Sequence, residues 1–196
     1  MCVKKNSSKD LIIDTAARLF FSQGYHATGL NQILKESQAP KGSLYHYFPQ
    51  GKEELAHECI HQTNLHIKSR FEEFFAKYDN TADAIQAFIR SMADEAESNG
   101  YTGFMPFSLW AAVETACVSP RLREASQAVF VDWQDIISES LHRDGFSDQQ
   151  AEEIALLIIS LMEGALIISL TRQDKTPLLT AAEFLVKVAR KAEHGA

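Results

Sequence analysis

The segment Lys41-Gly42-Ser43-Leu44-Tyr45-His46-Tyr47 gathers cationic, hydroxylic, small and aromatic-polar residues into seven positions. Side chains of these types approach a polyanion closely and donate hydrogen bonds to phosphates and base edges. Leu44 and Phe48, at i and i+4, would form one helical face and pin the segment to its neighbours. A second segment, His57-Glu58-Cys59-Ile60-His61, spells His-Glu-x-x-His. On a helix, imidazoles at i and i+4 bind zinc and the glutamate activates a water. That reading lacks support nearby: Asn64 and Ile67 stand where a longer zinc signature requires glycine and histidine. Both histidines also fall on the polar side of their helix, away from Leu55. No Ser-His-Asp spacing, G-x-S-x-G, Walker loop or G-x-G-x-x-G is present, so neither an enzyme nor a cofactor is expected.

The elements that must position these residues are helical. Apolar positions recur at helical spacing almost throughout, and alternating β-branched runs bounded by turns are missing, which predicts an all-α chain of about nine helices. The first begins near Ser7 or Ser8, buries Ile12, Ala16, Leu19 and Phe20, and stops at Gly24. Thr28 is expected to cap a short second helix through Ile33 and Leu34. Ser37-Gln38-Ala39 makes a turn, and Pro40 opens a third short helix ending at Phe48-Pro49. Two short helices joined by such a turn and propped by a preceding helix follow the helix-turn-helix plan, whose second helix fits a major groove about 12 Å wide. A compact helical hairpin with a merely solvated face remains open on composition alone. A long helix follows from Lys52 to Tyr78, with Leu55, Cys59, Ile67, Phe71, Phe74 and Tyr78 on one stripe. Later starts are legible at Asn80 or Thr81, Ser119-Pro120, Ser147 to Gln150 and Thr176-Pro177, with stops at Gly100 and Gly145. The expected division is a DNA-binding head, residues 1–51, and a body, residues 52–196.

Composition is consistent with this plan once it is read by segment. The chain has 196 residues, 45% hydrophobic, and a net charge of −7, a poor balance for a partner of phosphates. Residues 1–52 nevertheless carry +4, and the remainder carries −11. Three cysteines without a paired spacing suit a reducing cytoplasm. The first ten residues lack an apolar segment of the secretory type, and the apolar stretch from Ala155 to Leu170 is short of the roughly 20 residues that span a bilayer. No membrane partner is expected.

Gly24-Tyr25, Thr28, Ile33, Ala39, Lys41-Gly42-Ser43-Leu44-Tyr45, Tyr47-Phe48 and Lys52-Glu53-Glu54-Leu55 together resemble the N-terminal domain of the tetracycline-repressor (TetR) family. The resemblance covers about 45 residues with consistent spacing. It implies a homodimer on double-stranded DNA with a palindromic operator, usually repressing and released by a small molecule. It also implies that Thr28 touches a phosphate, that Lys41, Gly42, Ser43 and His46 face the groove, and that Tyr45, Tyr47 and Lys52 bind phosphates. Two departures stand out. Gln38 occupies a turn position that is usually glycine, and a left-handed backbone there costs on the order of 1 kcal/mol. Three residues, Pro49-Gln50-Gly51, separate Phe48 from Lys52 where many members have two. This spacing, Gly164 and the stretch at 119–123 resemble a subgroup of flavonoid-responsive repressors of multidrug-efflux and quercetin-dioxygenase genes. The Gly-Cys-Pro segment common in that subgroup here reads Gly103-Phe104-Met105-Pro106.

The body is rich in large flat and adaptable apolar side chains: Phe71, Phe74, Phe75, Phe88, Met92, Phe104, Met105, Phe107, Trp110, Phe130, Trp133 and Met162. Phe71 and Phe74 read as ordinary core. Met92, Phe107, Trp110, Phe130, Trp133 and Met162 are the candidates for a site that takes a small hydrophobic effector, with indole N–H donors for a polyphenol. Ala155 to Leu170 is apolar all round its helix. With Leu178, Leu179, Leu185, Val188 and Ala189, it is expected either to form a four-helix interface between two subunits, as the resemblance implies, or to serve as a core helix within one.

Overall fold

A computed structural model describes residues 7–102, 108–116 and 118–190. The regular elements among them are all helical, as the apolar spacing predicts. They are α1 (Ser8–Gln23), α2 (Leu30–Ser37), α3 (Lys41–Tyr47), α4 (Lys52–Lys77), α5 (Thr81–Ser98), α6 (Glu114–Ala116), α7 (Pro120–Arg143), α8 (Asp148–Arg172) and α9 (Thr176–Ala189). A π-helical turn, Ser108–Val113, leads directly into α6. Helix starts fall where side-chain oxygens satisfy free backbone N–H groups. Ser7 accepts from the Asp10 N–H at 3.2 Å while the Asp10 carboxylate accepts from the Ser7 N–H at 3.0 Å. Ser147 and Gln150 repeat this reciprocal box, and Asn80 accepts from the Asp83 N–H at 2.9 Å. Gly24, at φ 87°, ends α1 with a backbone that side-chain-bearing residues rarely adopt.

The chain forms two compact units by packing, each drawing on two separate stretches of sequence. One unit comprises residues 1–63 with 103–127, the other residues 64–102 with 128–196. The physical reason lies in Trp110, which is fully buried in the first unit. Its ring stacks on Phe20 at 5.4 Å between centroids and meets Phe21 edge-on at 5.3 Å. A segment far along the chain thereby completes the core that α1 begins with Ile12, Ala16, Leu19 and Phe20. Ile33, Leu44, Phe48, Leu55 and Ile60 are buried in the same unit.

In the second unit α9 packs with α5 and α8. Phe71 of α4 stacks on Phe88 at 4.4 Å, and Trp133 is buried. The Trp133 indole donates to Asn64 at 3.1 Å. The Asn64 amide in turn donates to Asp132 at 2.6 Å, and the Lys68 ammonium stands 3.5 Å from the same carboxylate. The expectation for α8 and α9 is corrected in part. Leu178, Leu185 and Ala189 are buried within the chain itself, because α9 turns that face to its own neighbours. The apolar side chains left exposed are Leu156, Leu157 and Ile168 of α8 and Phe184 of α9. At 25 residues α8 is long and apolar enough to cross a membrane by length and composition. Its Ala155, Ile158, Met162 and Leu166 face are instead buried within the unit.

Replacing Trp110 with alanine removes the ring on which Phe20 and Phe21 pack. The expected loss is about 3–5 kcal/mol of unfolding free energy, measured by urea denaturation. A loss below about 1 kcal/mol would show that the indole is not integral to this core.

Candidate nucleic-acid interface

The interface is built on a turn that the backbone accepts at a cost. α2 ends at Ser37, and Gln38 adopts φ 55° and ψ 21°, a left-handed conformation. A residue with a Cβ is disfavoured there by about 1 kcal/mol. The Ser37 hydroxyl oxygen accepts from the Ala39 N–H at 3.3 Å, satisfying one donor of the turn. α3 then runs for two turns. Leu44 and Phe48 are buried, as their spacing predicts, and the opposite face is left open. Lys41, Gly42, Tyr45, His46 and Tyr47 are exposed, and Ser43 is half-buried.

Three observations sharpen the roles of individual residues on this face. Tyr45 and Tyr47 retain 47% and 38% of their surface, so whole rings, and not only hydroxyls, are presented to solvent. His46 packs edge-on against Tyr47 at 5.0 Å, which limits the rotamers of both. A Cβ added at Gly42 would meet nothing within 4 Å. The protein's own packing therefore does not require glycine at this position. A requirement would have to come from something approaching from outside.

Thr28 behaves differently from its expected capping role. The N-terminal flank of α2 is Gly29, with no side-chain cap, and Thr28 is 1% exposed. Its hydroxyl turns back to donate to the Gly24 carbonyl at 2.7 Å. That bond satisfies an acceptor at the end of α1 and closes the corner between α1 and α2. The hydroxyl proton is thus committed to the corner. Lys52 is half-buried at the first turn of α4, its ammonium 4.2 Å from the centre of the Tyr25 ring. Burial pushes its pKa down, and the nearby Glu114 carboxylate opposes that shift. Elsewhere in the head Arg18 pairs with Glu36 at 2.5 Å, and this hydrogen bond holds the Glu36 carboxyl below its ordinary range.

Sequence reasoning missed Glu114. Its carboxylate accepts from the backbone N–H groups of Tyr25 and His26 at the α1–α2 corner. Ser119 and Glu53 share a hydrogen bond of 2.5 Å, and Arg121 donates to Gln50 at 2.5 Å. These contacts span 66 to 89 positions of sequence, and no local motif announces them.

The candidate effector residues are divided between the units, and within the second Phe130 meets Trp133 edge-on at 5.7 Å. Trp110 belongs to the core of the first unit, whereas Met92, Phe130, Trp133 and Met162 lie in the second. Phe107 lies outside the described residues, as do Gly103, Phe104, Met105 and Pro106. The Trp133 N–H already donates to Asn64. A cavity of about 670 Å³ in the second unit is lined by none of the six. It is flanked by Glu72, Asp132, Asp135 and Glu139, with Lys68, Arg143, Phe75 and Ile136.

A short helix with an open polar face, anchored by two buried apolar residues after a tight turn and two supporting helices, defines a helix-turn-helix nucleic-acid-binding protein. Comparison with known proteins supplies the family. Residues 12–59 match the model for bacterial regulatory proteins of the tetR family. Residues 81–184 match that for the C-terminal domain of LmrA/YxaF-like transcriptional regulators. The chain is 42% identical to the HTH-type transcriptional regulator YxaF of Bacillus subtilis over 187 residues, covering 95% of this chain and 97% of that protein. It is 38% identical to LmrA of the same organism over 172 residues, covering 88% and 91%. A TetR transcriptional regulator from Legionella pneumophila shares the fold with a TM-score of 0.83 at 20% identity, covering 94% of this chain and 98% of that one. The chain belongs to the TetR family of helix-turn-helix transcriptional regulators, and it is a regulator, not an enzyme. The His57-Glu58-Cys59-Ile60-His61 segment is accordingly part of α4 in a regulator and not a peptidase centre. Within it His61 is exposed, while His57 is half-buried with its pKa pushed down by burial and by Arg121.

Cys59, in the same segment, is fully buried, and burial drives its thiol pKa far above the ordinary range. A thiol held neutral is a poor nucleophile. Iodoacetamide should leave Cys59 unmodified in native protein at pH 8 and modify it after unfolding, as read by peptide mass mapping. Rapid native labelling would contradict the burial.

Proposed function

We propose that the protein is a homodimeric repressor that binds a palindromic operator and leaves it when a small hydrophobic, flavonoid-like effector binds. The observation that carries the DNA contact is the open face of α3. Lys41, Gly42, Ser43 and His46 would enter the major groove, and Tyr45, Tyr47 and Lys52 would hold backbone phosphates. The Tyr25 ring takes one side of the Lys52 ammonium and leaves donors for a phosphate oxygen. Thr28 would act indirectly, by fixing the corner from which α2 departs. In functional terms residues 1–51 form the DNA-reading head, and residues 52–196 sense the effector and dimerise. The −11 charge of residues 53–196 supports this polarity, because it repels phosphates from every part but the head. A cytoplasmic location follows from a DNA partner.

Dimerisation is supported by Leu156, Leu157, Ile168 and Phe184, exposed apolar side chains on α8 and α9 that water solvates poorly. Two copies joined there would present recognition helices to successive major grooves about 34–36 Å apart. Light scattering at micromolar concentration should give twice the chain mass, and Phe184→Glu should shift it toward the monomer. A wild-type monomer would overturn the dimeric reading.

The effector reading rests on the family match of residues 81–184 and on the aromatic content of the body. It is tested by selecting operator duplexes from a randomised pool and titrating the bound complex with a panel of flavonoids and other planar hydrophobes. Linkage requires that effector and DNA weaken each other by the same factor. Simultaneous tight binding without mutual effect would refute release. On the selected duplex, Lys52→Ala should weaken binding across sequences and lower the salt slope by about one unit, whereas Lys41→Ala should also relax base preference. Negligible effects from both would show that α3 and the start of α4 do not face DNA.

A further inference from the structure

The corner between α1 and α2 holds backbone donors that neither helix uses. The Tyr25 and His26 N–H groups follow Gly24 and precede α2, so each needs a partner from elsewhere. Glu114, 88 or 89 positions away, supplies one carboxylate oxygen to both, with the His26 N–H at 3.4 Å. The His26 ring Nε2 also lies 3.2 Å from the Glu114 backbone oxygen, so the corner meets both the side chain and the main chain of this residue. Gly24 makes the approach possible: a Cβ there would stand 2.5 Å from a Glu114 carboxylate oxygen. Four residues before Glu114, Trp110 is locked between Phe20 and Phe21. The carboxylate is therefore delivered from a fixed base and does not dangle from a loop.

From these contacts we infer that Glu114 is a positioning residue for DNA binding, acting through the α1–α2 corner without touching DNA. The inference rests on the DNA-binding reading above. Three groups depend on the corner that Glu114 holds. Thr28 closes it through the Gly24 carbonyl, and α2 departs from it toward the Gln38 turn and α3. The Tyr25 ring, whose own N–H is bound to Glu114, carries the Lys52 ammonium on its face. A shift at the corner moves both the direction of α2 and the platform under Lys52. Phosphate attraction at long range does not depend on such placement, but the fit of α3 to a particular sequence does.

The placement of a carboxylate in a basic head also has an electrostatic consequence. Charge at Glu114 opposes phosphate affinity, whereas its reach sustains geometry, so the two are separable by substitution. Glu114→Asp keeps the charge and is one methylene too short to reach the corner. Glu114→Gln keeps the reach and an acceptor oxygen and removes the charge. A stability role alone predicts that melting temperature moves while the preference between DNA sequences does not.

The test uses the full-length protein and a duplex selected by the wild type from a randomised pool, with a scrambled duplex of equal length as control. Glu114→Asp should lose at least about tenfold in its preference for the selected over the scrambled duplex, a shift equivalent to about 1.4 kcal/mol, with the scrambled duplex weakened much less than the selected one. Glu114→Gln should keep the preference for the selected duplex within about threefold of wild type. A folded Glu114→Asp variant with unchanged preference, or a Glu114→Gln variant that loses preference as fully as Asp, overturns the inference. If Glu114→Asp does not melt cooperatively, amide exchange of Tyr25 and His26 in the wild type decides. Protection that rises on adding the selected duplex supports the inference, and unchanged protection overturns it. Failure of the wild type to select any duplex would instead overturn the DNA-binding reading and this inference with it.

Discussion

The first unit depends on an indole and a carboxylate four residues apart. Trp110 enters the core between Phe20 and Phe21, and Glu114 occupies the donors that α1 and α2 leave unpaired. Each contact makes the other effective. An exposed carboxylate facing two amides in water contributes little, because it gives up as much solvation as it gains in hydrogen bonding. Fixed by a buried ring next door, it pays no further ordering entropy and meets the amides in one geometry. The head is thus not an independent three-helix module: residues 108–116 and the start of α7 belong to it in packing terms.

This arrangement resolves a tension in the charge distribution. A DNA-facing head at +4 has every reason to exclude acidic groups, yet one from the −11 remainder of the chain is brought within reach of Lys52. Coulomb attraction between Glu114 and Lys52 opposes the lowering of the lysine pKa by burial. The same carboxylate weakens the net pull of the lysine on phosphate. Placement of the charge, more than its sum, governs what the head can bind.

Local grammar was legible in the sequence, and long-range partnership was not. Ser7, Asn80 and Ser147 begin helices where their side chains say they should, because capping is decided within four residues. Leu44 and Phe48 face inward by their spacing alone, whereas the left-handed backbone of Gln38 stays open in the sequence because its side chain does not dictate it. Thr28 misled because a hydroxyl near a helix start has two acceptable partners, and its burial selects the Gly24 carbonyl over the first turn of α2. The burial of Trp110 and Trp133 was not legible, because composition marks an aromatic as large and flat without saying which core it fills. Glu114 carried no local signal at all. A glutamate followed by Thr-Ala looks like any exposed acid, and only the folded chain shows that its carboxylate lies where a Gly24 Cβ would clash.

The two faces of α8 express one further constraint. The helix is apolar around its circumference, so a single neighbour cannot cover it. Ala155, Ile158, Met162 and Leu166 are covered by the chain's own packing, and α9 adds Leu178 and Leu185 to that interior. What remains, Leu156, Leu157 and Ile168 with Phe184, is the part that intrachain packing does not reach. Fully burying side chains of this size is worth about 1.5–3 kcal/mol each. In the proposed dimer a second identical chain would cover these side chains, since a twofold axis pairs each residue with one already present. In the proposed dimer the same twofold axis would give the DNA site its symmetry, so the apolar excess of α8 and the form of the operator would both follow from a single geometric choice.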